Sequence, residues 1–580
     1  MKNTAVYMRF PTRAAAFALA ALWCAVLFLS GCTPQEETTP TASISGTTGS
    51  ISPSVSYEAV SGGLMRIPMP VKPETLDPLK ASTVEMTSLL SLVYETPVQI
   101  EQDGHIVPSL FESWVVEENG DVVFTVRNNI SWHGGKGTLS AADIIHTLDT
   151  IKADNAGNKS SVYAYCLEEI EAYELYVATD TPQSQPPTTQ SQPPTTQSQA
   201  PTTQGQPAQE GAGKVRIKAK NGLVALLYCL NFPVVSKENA QSTLPVGTGP
   251  YVVESYTQGE GMHLAANTSW WKKAPYIQEI YAKAVVTNAS ALELFRNNEL
   301  DVVYSGALNT QSYKVAGSTS LSEVPVQEYS FLSLNVSNQH LANQQVRQAL
   351  EYALDRNDLL SRIFSKHGVA VDFPMLPGNY LNDVKYSHTT VNINAAKDLL
   401  AKSNYIDRDG DGFVESDSGL PFTLTLIAVQ EQDVSTYVDM ADSIAEQFKK
   451  IGIQLEVKAL SEADYKKALT EKTFDIAVVT TYLSSKPSIG AFTATDGALN
   501  FGGYIDAELN AAIDAMNAAD EAAIVAAVDE VQRLFQEKIP HISILFRSRS
   551  FLYRNTIKNV TGISEPYLFD RVHEWYIYEQ

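Results

Sequence analysis

Acidic residues crowd into one short polar segment, DRDGDGFVES, where they could offer oxygen ligands to a metal ion. Alternating aspartates of this kind resemble the start of a calcium-binding loop, because carboxylates suit a hard cation. The twelfth position, however, holds Ser418 where such loops carry a bidentate Glu. We therefore favour a solvated turn between a helix and a strand, with Ca²⁺ binding as the alternative. The residues concerned are Asp407, Asp409, Asp411 and Glu415.

Catalytic motifs are not found in the sequence. It contains no nucleophile elbow, HExxH, P-loop or catalytic-cysteine pattern, and its nine histidines show no metal-ligand spacing. Because the chain has 65 acidic residues, a hydrolase that uses paired carboxylates stays open as an alternative, but nothing singles out one pair. We expect a protein that is not an enzyme and that needs no cofactor.

The cysteines suggest two kinds of chemistry. Cys166 and Cys229 lie in the body of the chain, and a disulfide between them and two separate buried thiols are equal alternatives. Cys32 ends the tetrapeptide LSGC, which is similar to the bacterial lipobox. In a lipobox the Cys thiol receives a diacylglycerol, and cleavage makes this residue the first of the mature chain.

The segment before Cys32 has the pattern of a secretory signal. Lys2, Arg9 and Arg13 precede an apolar stretch at 14–29, which is short for a membrane span. We predict a lipoprotein signal peptide at 1–31 and membrane attachment through lipid on Cys32. An ordinary signal peptide and an uncleaved anchor helix are the alternatives.

Charge and length limit the function classes. The formal net charge of -23, with no basic run after the N-terminal segment, argues against a nucleic-acid partner. A chain of 580 residues is too long for one hydrophobic core, so two or three domains are expected.

Two low-complexity segments interrupt the globular pattern. Residues 32–63 are mostly small and polar, which predicts a disordered tether. The heptad SQPPTTQ occurs twice from Ser184 and a third time as SQAPTTQ, within an insert at 181–210. Strand-like alternation on both sides, at 168–179 and 214–220, predicts a loop inserted at the tip of a β-hairpin. A spacer is the favoured role of the repeat.

The order of elements becomes regular after residue 420. A strand at 422–427, a helix at about 438–448 and a strand at 453–457 predict a βαβ unit, with Gly452 ending the helix. Ser461 and Asp464 predict the start of the next helix, and a third, buried strand follows at 474–483. Two further helices, at about 506–516 and 522–538, complete a doubly wound lobe.

A series of short motifs resembles one protein family in order and spacing. The motifs are LDP at 76–78, LVYE at 92–95, GHIVPSL at 104–110, ESW at 112–114, FTVR at 124–127, SAADI at 140–144, GTGPY at 247–251, VRQALEYALDR at 346–356 and AKDLL at 396–400. Together they resemble the bacterial family 5 extracellular solute-binding proteins, which include the oligopeptide and dipeptide receptors of ABC importers. Each motif has a structural explanation of its own, so the series identifies the scaffold and not the ligand.

The resemblance implies an α/β, two-lobed periplasmic-binding-protein-like fold of type II with an extra subdomain, mixed sheets flanked by helices, and a hinged cleft. It implies a first lobe at 64–98, 244–325 and 541–580, a subdomain at 99–243 and a second lobe at 326–540. The implied function is delivery of an oligopeptide to ABC permease subunits by a monomer outside the cytoplasm. A nickel chelate, haem, an oligosaccharide, or a surface enzyme on the same scaffold are the alternatives.

Ligands of open α/β sheets bind beyond the carboxyl ends of parallel strands, so the loop after the third strand of the second lobe is the first place to search. In peptide receptors of the family this loop commonly carries an Asp for the ligand's α-ammonium group, whereas here it is YLSSKP without an acid. We therefore expect Ser484 and Ser485, together with Lys486, to replace that anchor. The alternative is that Lys486 points to solvent and that Glu95 or Asp496 supplies the carboxylate. The predicted cleft residues are Tyr94, Glu95, Asn335, Tyr482, Ser484, Ser485, Lys486 and Tyr504.

Overall fold

The computed structural model of the protein describes residues 58–156, 162–177, 212–240, 242–387, 390–431 and 435–578. Within these ranges no helix has the length and apolarity needed to cross a membrane. The predicted signal peptide, Cys32, most of the predicted tether and the repeat insert lie outside the described residues.

Strands predominate in the first part of the chain. In order, the elements are β1 (Leu64–Pro70), α1 (Val84–Ser91), β2 (Val98–Ile100), β3 (Ile106–Pro108), β4 (Phe111–Val116), β5 (Val122–Val126), α2 (Ala141–Ala156), β6 (Ile170–Leu175), β7 (Lys214–Ala219), α3 (Leu223–Cys229), β8 (Tyr251–Thr257), β9 (Gly261–Ala266), β10 (Glu279–Val285), α4 (Asn288–Arg296), β11 (Val302–Ser305) and β12 (Thr319–Leu334).

Helices are more frequent in the second part. In order, the elements are α5 (Gln344–Ala353), α6 (Arg356–Arg362), β13 (Gly368–Ala370), α7 (Ile393–Lys402), β14 (Thr423–Val429), α8 (Thr436–Lys449), β15 (Gln454–Leu460), α9 (Glu462–Glu471), β16 (Ile476–Tyr482), α10 (Gly490–Thr493), α11 (Ala507–Asn517), α12 (Ile524–Lys538), β17 (Ile542–Arg554), β18 (Ile557–Lys558) and β19 (Tyr576–Ile577).

The first lobe is built on the sheet β1-β10-β9-β8. Strands β1 and β10 are parallel and in register from Leu64 opposite Glu279 to Pro70 opposite Val285. Their carboxyl ends therefore meet at one edge of the sheet. Helix α4 begins at this edge, where Thr287 accepts a hydrogen bond from the backbone of Ser290 as its N-cap.

The subdomain carries the antiparallel sheet β4-β5-β7-β6. Its strands β6 and β7 pair from Ile170 opposite Ala219 to Leu175 opposite Val215, which confirms the predicted hairpin arms. Helix α2 covers the sheet with Ile144, Leu148 and Ile151, all fully buried. The apolar face of each element is thereby removed from water, which is the main stabilisation of this unit.

The predicted βαβ unit of the second lobe is confirmed. Strands β14 and β15 are parallel, helix α8 connects them, and β16 joins β14 on its other side in the same direction. Gly452 has the left-handed φ of 83° expected after the end of α8. Ser461 accepts a hydrogen bond from the backbone of Asp464 at the start of α9, as the sequence predicts.

One sheet joins the two lobes. Its strand order is β11-β17-β12-β16-β14-β15, with β13 also paired to β17. Residues 319–325 of β12 pair with β17 beside β11, and residues 329–334 pair with β17 and β16. The mixed sheets and two-lobed fold implied by the family resemblance are confirmed, whereas the predicted lobe boundaries stay a prediction; residue 326 lies within β12 and residue 541 directly before β17.

The subdomain also contacts the second lobe. Val224 and Tyr228 of α3 pack in one hydrophobic cluster with residues of α11 and α12, such as Leu509 and Val528. The backbone N–H of Gly222 donates to the carbonyl of Asn517 at 2.8 Å. The far rim of the cleft is therefore closed by packing between α3 and the second lobe.

The GTGPY loop shows why its glycines are required. A Cβ on Gly247 would lie 1.8 Å from the carbonyl oxygen of Val93, and one on Gly249 would lie 2.7 Å from the same oxygen. His133 fixes the loop through two hydrogen bonds. Its Nδ1 accepts from the N–H of Gly247 at 3.3 Å, and its Nε2 donates to the carbonyl of Gly249 at 2.9 Å. Close approach to the end of α1 excludes any side chain here.

We expect Gly247→Ala to lower the free energy of unfolding by about 1–3 kcal/mol, which is the usual cost of overpacking. Gly490→Ala is the matched control, because the nearest atom to its Cβ would be Ile513 Cγ2 at an ordinary 3.5 Å. Urea unfolding of both variants measures the difference. Equal stability of the two variants would contradict the close approach.

Candidate functional site

The carboxyl ends of the parallel strands lie at two edges, one of the first-lobe sheet and one of the sheet that both lobes share. In the first lobe they are the ends of β1 and β10, and in the second lobe the ends of β14, β15 and β16. Open α/β sheets bind ligands in the crevice at such edges. The candidate site is therefore the cleft between these edges, with β12 and β17 as its floor.

A network of polar side chains connects the two edges. In the second lobe, Tyr482 at the end of β16 donates from its hydroxyl to Glu328 Oε2 at 3.0 Å. The same hydroxyl accepts from Arg549 Nη2 at 2.6 Å. On the first-lobe side, Arg549 Nη1 lies 3.1 Å from Glu565 Oε1, and Tyr304 donates to this carboxylate at 2.8 Å. One guanidinium thus holds groups from both sides of the cleft floor.

The protonation states in this network follow from burial and neighbouring charge. Burial and the carboxylate of Glu328 raise the pKa of Tyr482 to about 12, so the hydroxyl stays neutral and can donate. Burial also raises the pKa of Glu565, while the charge of Arg549 lowers it. The side chain of Tyr482 is half exposed, so the network presents acceptor oxygens to a ligand in the cleft, while the one hydroxyl proton of Tyr482 is donated to Glu328.

The loop after β16 crosses to the subdomain. Lys486 Nζ donates to a carboxylate oxygen of Glu169, whose side chain is only 4% exposed. Asn221 Nδ2 donates to the other oxygen of Glu169 at 2.7 Å. Lys486 is thereby paired with a protein carboxylate, and its predicted contact with a ligand stays a prediction.

The serines of this loop have different surroundings. Ser484 is exposed and donates from Oγ to the carbonyl of Lys486 at 3.0 Å, which stabilises the turn. Ser485 is half-buried in the same turn. Both lie beside Tyr482, so the structure brings these predicted residues together at the cleft edge; their contact with a ligand stays a prediction.

Tyr94 and Glu95 lie inside the first lobe. Glu95 accepts from Trp271 Nε1 at 3.0 Å and from Thr248 Oγ1 at 2.9 Å, and burial raises the pKa of its carboxyl group. Together with Tyr94 it lines a cavity of about 50 Å³. The hydrogen bonds of Glu95 connect the segment after α1 to the loops before β8 and after β9.

Asn335 and Tyr504 are not brought to the ends of the parallel strands. Asn335 follows β12, which is antiparallel to β16, and donates to the carbonyl of Phe474 at 2.8 Å before β16 begins. It therefore lies at the opposite edge of the sheet from Tyr482. Tyr504 is buried in the hydrophobic cluster between α3 and the second lobe, with the Arg347 guanidinium 5.2 Å from its ring.

Four residues of the polar network in the cleft were not predicted from the sequence: Glu328, Arg549, Glu565 and Tyr304. A signal was available in β17, ISILFRSRSFLYR, where Arg547, Arg549 and three serines interrupt an apolar strand that also ends in Arg554. Polar residues in a central strand need partners, and pairing with Glu328 and Glu565 supplies them. The partners themselves cannot be identified from the sequence, because Glu328 lies far from Arg549 along the chain and Glu565 lies in an irregular segment.

The acidic loop at 407–415 is held by its own backbone. Asp407 accepts from the N–H groups of Gly410 and Gly412 at 2.7 and 3.0 Å, as in a solvated turn. The buried Glu415 accepts from the N–H of Arg408 at 2.7 Å. One oxygen from each of the four acids lies within 4.8 Å of the others, so the loop could also bring them to a cation.

The two central cysteines are free thiols buried in the subdomain. Cys229 Sγ lies 3.9 Å from the carbonyl oxygen of Tyr165, and burial raises the pKa of its thiol to about 12. Both thiols are therefore protonated, and the structure corresponds to the second of the two alternatives considered for them.

Comparisons with known proteins identify relatives across most of the chain. Residues 105–501 match the family described as bacterial extracellular solute-binding proteins, family 5 Middle. The chain is 22% identical over 456 residues to the oligopeptide-binding protein AppA of Bacillus subtilis (strain 168), covering 76% of this chain and 75% of AppA. It is 21% identical over 570 residues to the nickel-binding protein NikA of Staphylococcus aureus, covering 95% and 98%.

Solved structures show the same fold. The periplasmic murein tripeptide binding protein MppA, in its unliganded open form, matches with a TM-score of 0.73 and 17% identity. The match covers 90% of this chain and 98% of MppA. At this identity the likeness concerns the fold alone, so the ligand has to be inferred from the site.

Asp570 provides a pH test of the region behind the cleft. It lines the 50 Å³ cavity with Glu95, and burial raises its pKa to about 7, although Gln99 and Lys272 oppose the shift. When the pKa of a carboxyl group is higher in the folded than in the unfolded protein, the free energy of unfolding falls as pH rises. The fall begins near the ordinary pKa of about 3.9 and ends once the pH has passed the pKa of the folded protein. Asp570→Asn should therefore gain stability relative to wild type between pH 5 and pH 8, measured by urea unfolding. A stability difference that does not change with pH would contradict the burial of this charge.

Proposed function

Because the chain belongs to the family 5 bacterial extracellular solute-binding proteins, we propose that it captures an oligopeptide outside the cytoplasm and delivers it to the permease subunits of an ABC importer. The family match over residues 105–501 is the observation that carries this proposal. The two-lobed fold supports it, since such a fold encloses a ligand by moving one lobe toward the other.

The cleft supports a peptide as the ligand. Tyr482 and the carboxylate of Glu328 offer acceptor oxygens at a strand end, where the N–H groups of an extended backbone would need them. Among the described residues, the acids close enough together to bind a bare cation lie in the 407–415 loop and not at Tyr482. A nickel chelate is the second candidate, because NikA of Staphylococcus aureus matches 95% of the chain.

The same observations support a binding protein without catalysis. The carboxylates at the cleft floor are engaged by Arg549 and by tyrosine hydroxyls, so neither is poised as a free acid or base. The family consists of substrate-binding proteins, and we assign this chain no reaction and no cofactor.

Lipid attachment would hold the receptor at the membrane. Cys32 closes the predicted signal, and the predicted tether at 32–63 separates it from the folded body, which begins with β1 at Leu64. A diacylglyceryl thioether supplies two acyl chains, and stable anchoring needs more than one. We propose a monomer that reaches its permease while anchored in this way.

Replacing Cys32 by Ser should release the protein from the membrane fraction into the soluble fraction, because no acyl chain can then be attached. Cys24→Ser is the matched control and should remain with the membrane. Detergent partitioning and the intact mass of both variants measure the outcome. A Cys32→Ser protein that stays membrane-bound at full precursor mass would contradict lipidation.

Mass spectrometry of the ligand that co-purifies tests the proposed function. We expect peptides, and we expect purified protein freed of them to be stabilised against heat when they are added back unchanged. Recovery of a nickel chelate, haem or an oligosaccharide would replace the peptide assignment. Conversion of the added peptide into products would show an enzyme.

A further inference from the structure

The first lobe contains an apolar chamber at the carboxyl ends of β1 and β10. Its volume is about 140 Å³, and its lining includes Met69, Val285, Ala291, Val302, Phe551 and Phe569. Most of these side chains are almost fully buried, so the walls belong to the packed core of the lobe. An apolar chamber of this size is large for a packing defect, since protein interiors have few voids larger than a water molecule.

A second, more polar pocket adjoins the chamber. It has a volume of about 430 Å³ and includes Arg549, and both pockets share Glu85, Asn288 and Tyr304 as lining residues. Because Arg549 also contacts Tyr482 across the cleft floor, this second pocket belongs to the cleft. The chamber therefore opens toward the ligand through a polar vestibule.

The residues at the junction of the two pockets are fixed by other bonds. Asn288 Nδ2 donates to the carbonyl of Tyr304 at 3.0 Å, and the hydroxyl of Tyr304 donates to Glu565. Glu85, in the first turn of α1, is exposed at the same junction. The opening is thus preorganised, with a carboxylate beside it that can accept from a ligand N–H group.

We propose that this chamber is a specificity pocket that takes one apolar side chain of the bound peptide, of about the size of Leu or Phe. The proposal rests on the proposed function and extends it to a substrate class. An apolar cavity of about 150 Å³ in another protein holds benzene, so a chamber of this volume fits a phenyl ring. A peptide whose side chain enters the chamber would leave its backbone N–H groups in the vestibule beside Glu85.

Charge around the vestibule limits the side chains that can enter. Three carboxylates lie near the vestibule: Glu328 and Glu565 interact with the guanidinium of Arg549, and Glu85 lines the same pocket as Arg549 and interacts with Glu565. A ligand Asp or Glu would have to pass these charges and then lose its hydration in an apolar chamber. The pocket therefore selects apolar over acidic side chains.

Titration calorimetry with a tetrapeptide panel tests the pocket. The probes are tetra-alanine and its derivatives with Phe or Asp at each position in turn. We expect Phe to raise affinity at least tenfold over Ala at one position, equal to about 1.4 kcal/mol, and Asp to lower it there. A panel without any preference for Phe would overturn the proposal.

Variants of Ala291 locate the effect. Ala291→Leu fills part of the chamber and should reduce the Phe preference to less than threefold, whereas Ala291→Ser, which keeps the size and adds a hydroxyl, should reduce it less. Ala511→Leu is the control, on the exposed face of α11 in the second lobe, and should keep the full preference. A full preference in Ala291→Leu would place the apolar side chain elsewhere and overturn the proposal.

A probe that is not a peptide separates this proposal from the proposed function. Benzene at saturation should raise the melting temperature of the wild type and of Ala511→Leu but not of Ala291→Leu, because it stabilises only a folded state with an open chamber. If no tetrapeptide binds while benzene acts as expected, the peptide function fails and the chamber remains a site for an apolar group. If benzene has no effect that depends on Ala291, the pocket proposal fails whatever the peptides do.

Discussion

Two antiparallel strands hold the protein together, because β12 and β17 run through both lobes within one sheet. Their register shifts between Pro325 and Tyr329 and again between Ser330 and Phe331. Proline cannot donate a ladder hydrogen bond, and such irregularities let a strand pair bend locally. The connection is therefore strong along the strands and weakest at the point where one lobe passes into the other.

The chemistry of the cleft is concentrated at this same point. Arg549 follows the irregularity on β17 and contacts Tyr482 on one side and Glu565 on the other. A change in the angle between the lobes would alter these distances directly. At the far rim, Lys486 and Glu169 form an ion pair in which the side chain of Glu169 is almost fully buried. The attraction between the two charges offsets the cost of desolvating them only while the groups are in contact.

Local patterns made much of the fold predictable. The βαβ unit, the β6 and β7 hairpin arms and the cap at Ser461 each depend on residues close in sequence, and all three are confirmed. The site was harder to predict, because it is made by pairing of distant strands. Asn335 was placed in the cleft by its position after a strand, but β12 is antiparallel to β16, and its end lies at the opposite edge.

Lys486 shows a further limit of sequence reasoning. Its neighbours in the chain gave no sign of Glu169, which comes from a hairpin of the subdomain and reaches the loop only in the folded protein. The same holds for the apolar chamber, whose walls come from β1, β10, α4, β11 and β17. Each wall residue is an ordinary core residue in sequence, and only their arrangement leaves a space.

Closure of the lobes on a peptide is the central claim, and small-angle X-ray scattering tests it most directly. The radius of gyration of the purified protein is measured after removal of bound ligand and again with the co-purifying peptide restored at saturation. The radius of gyration should be smaller with peptide, because the lobes rotate about β12 and β17 to enclose it. Identical scattering curves under saturating peptide would contradict this closure.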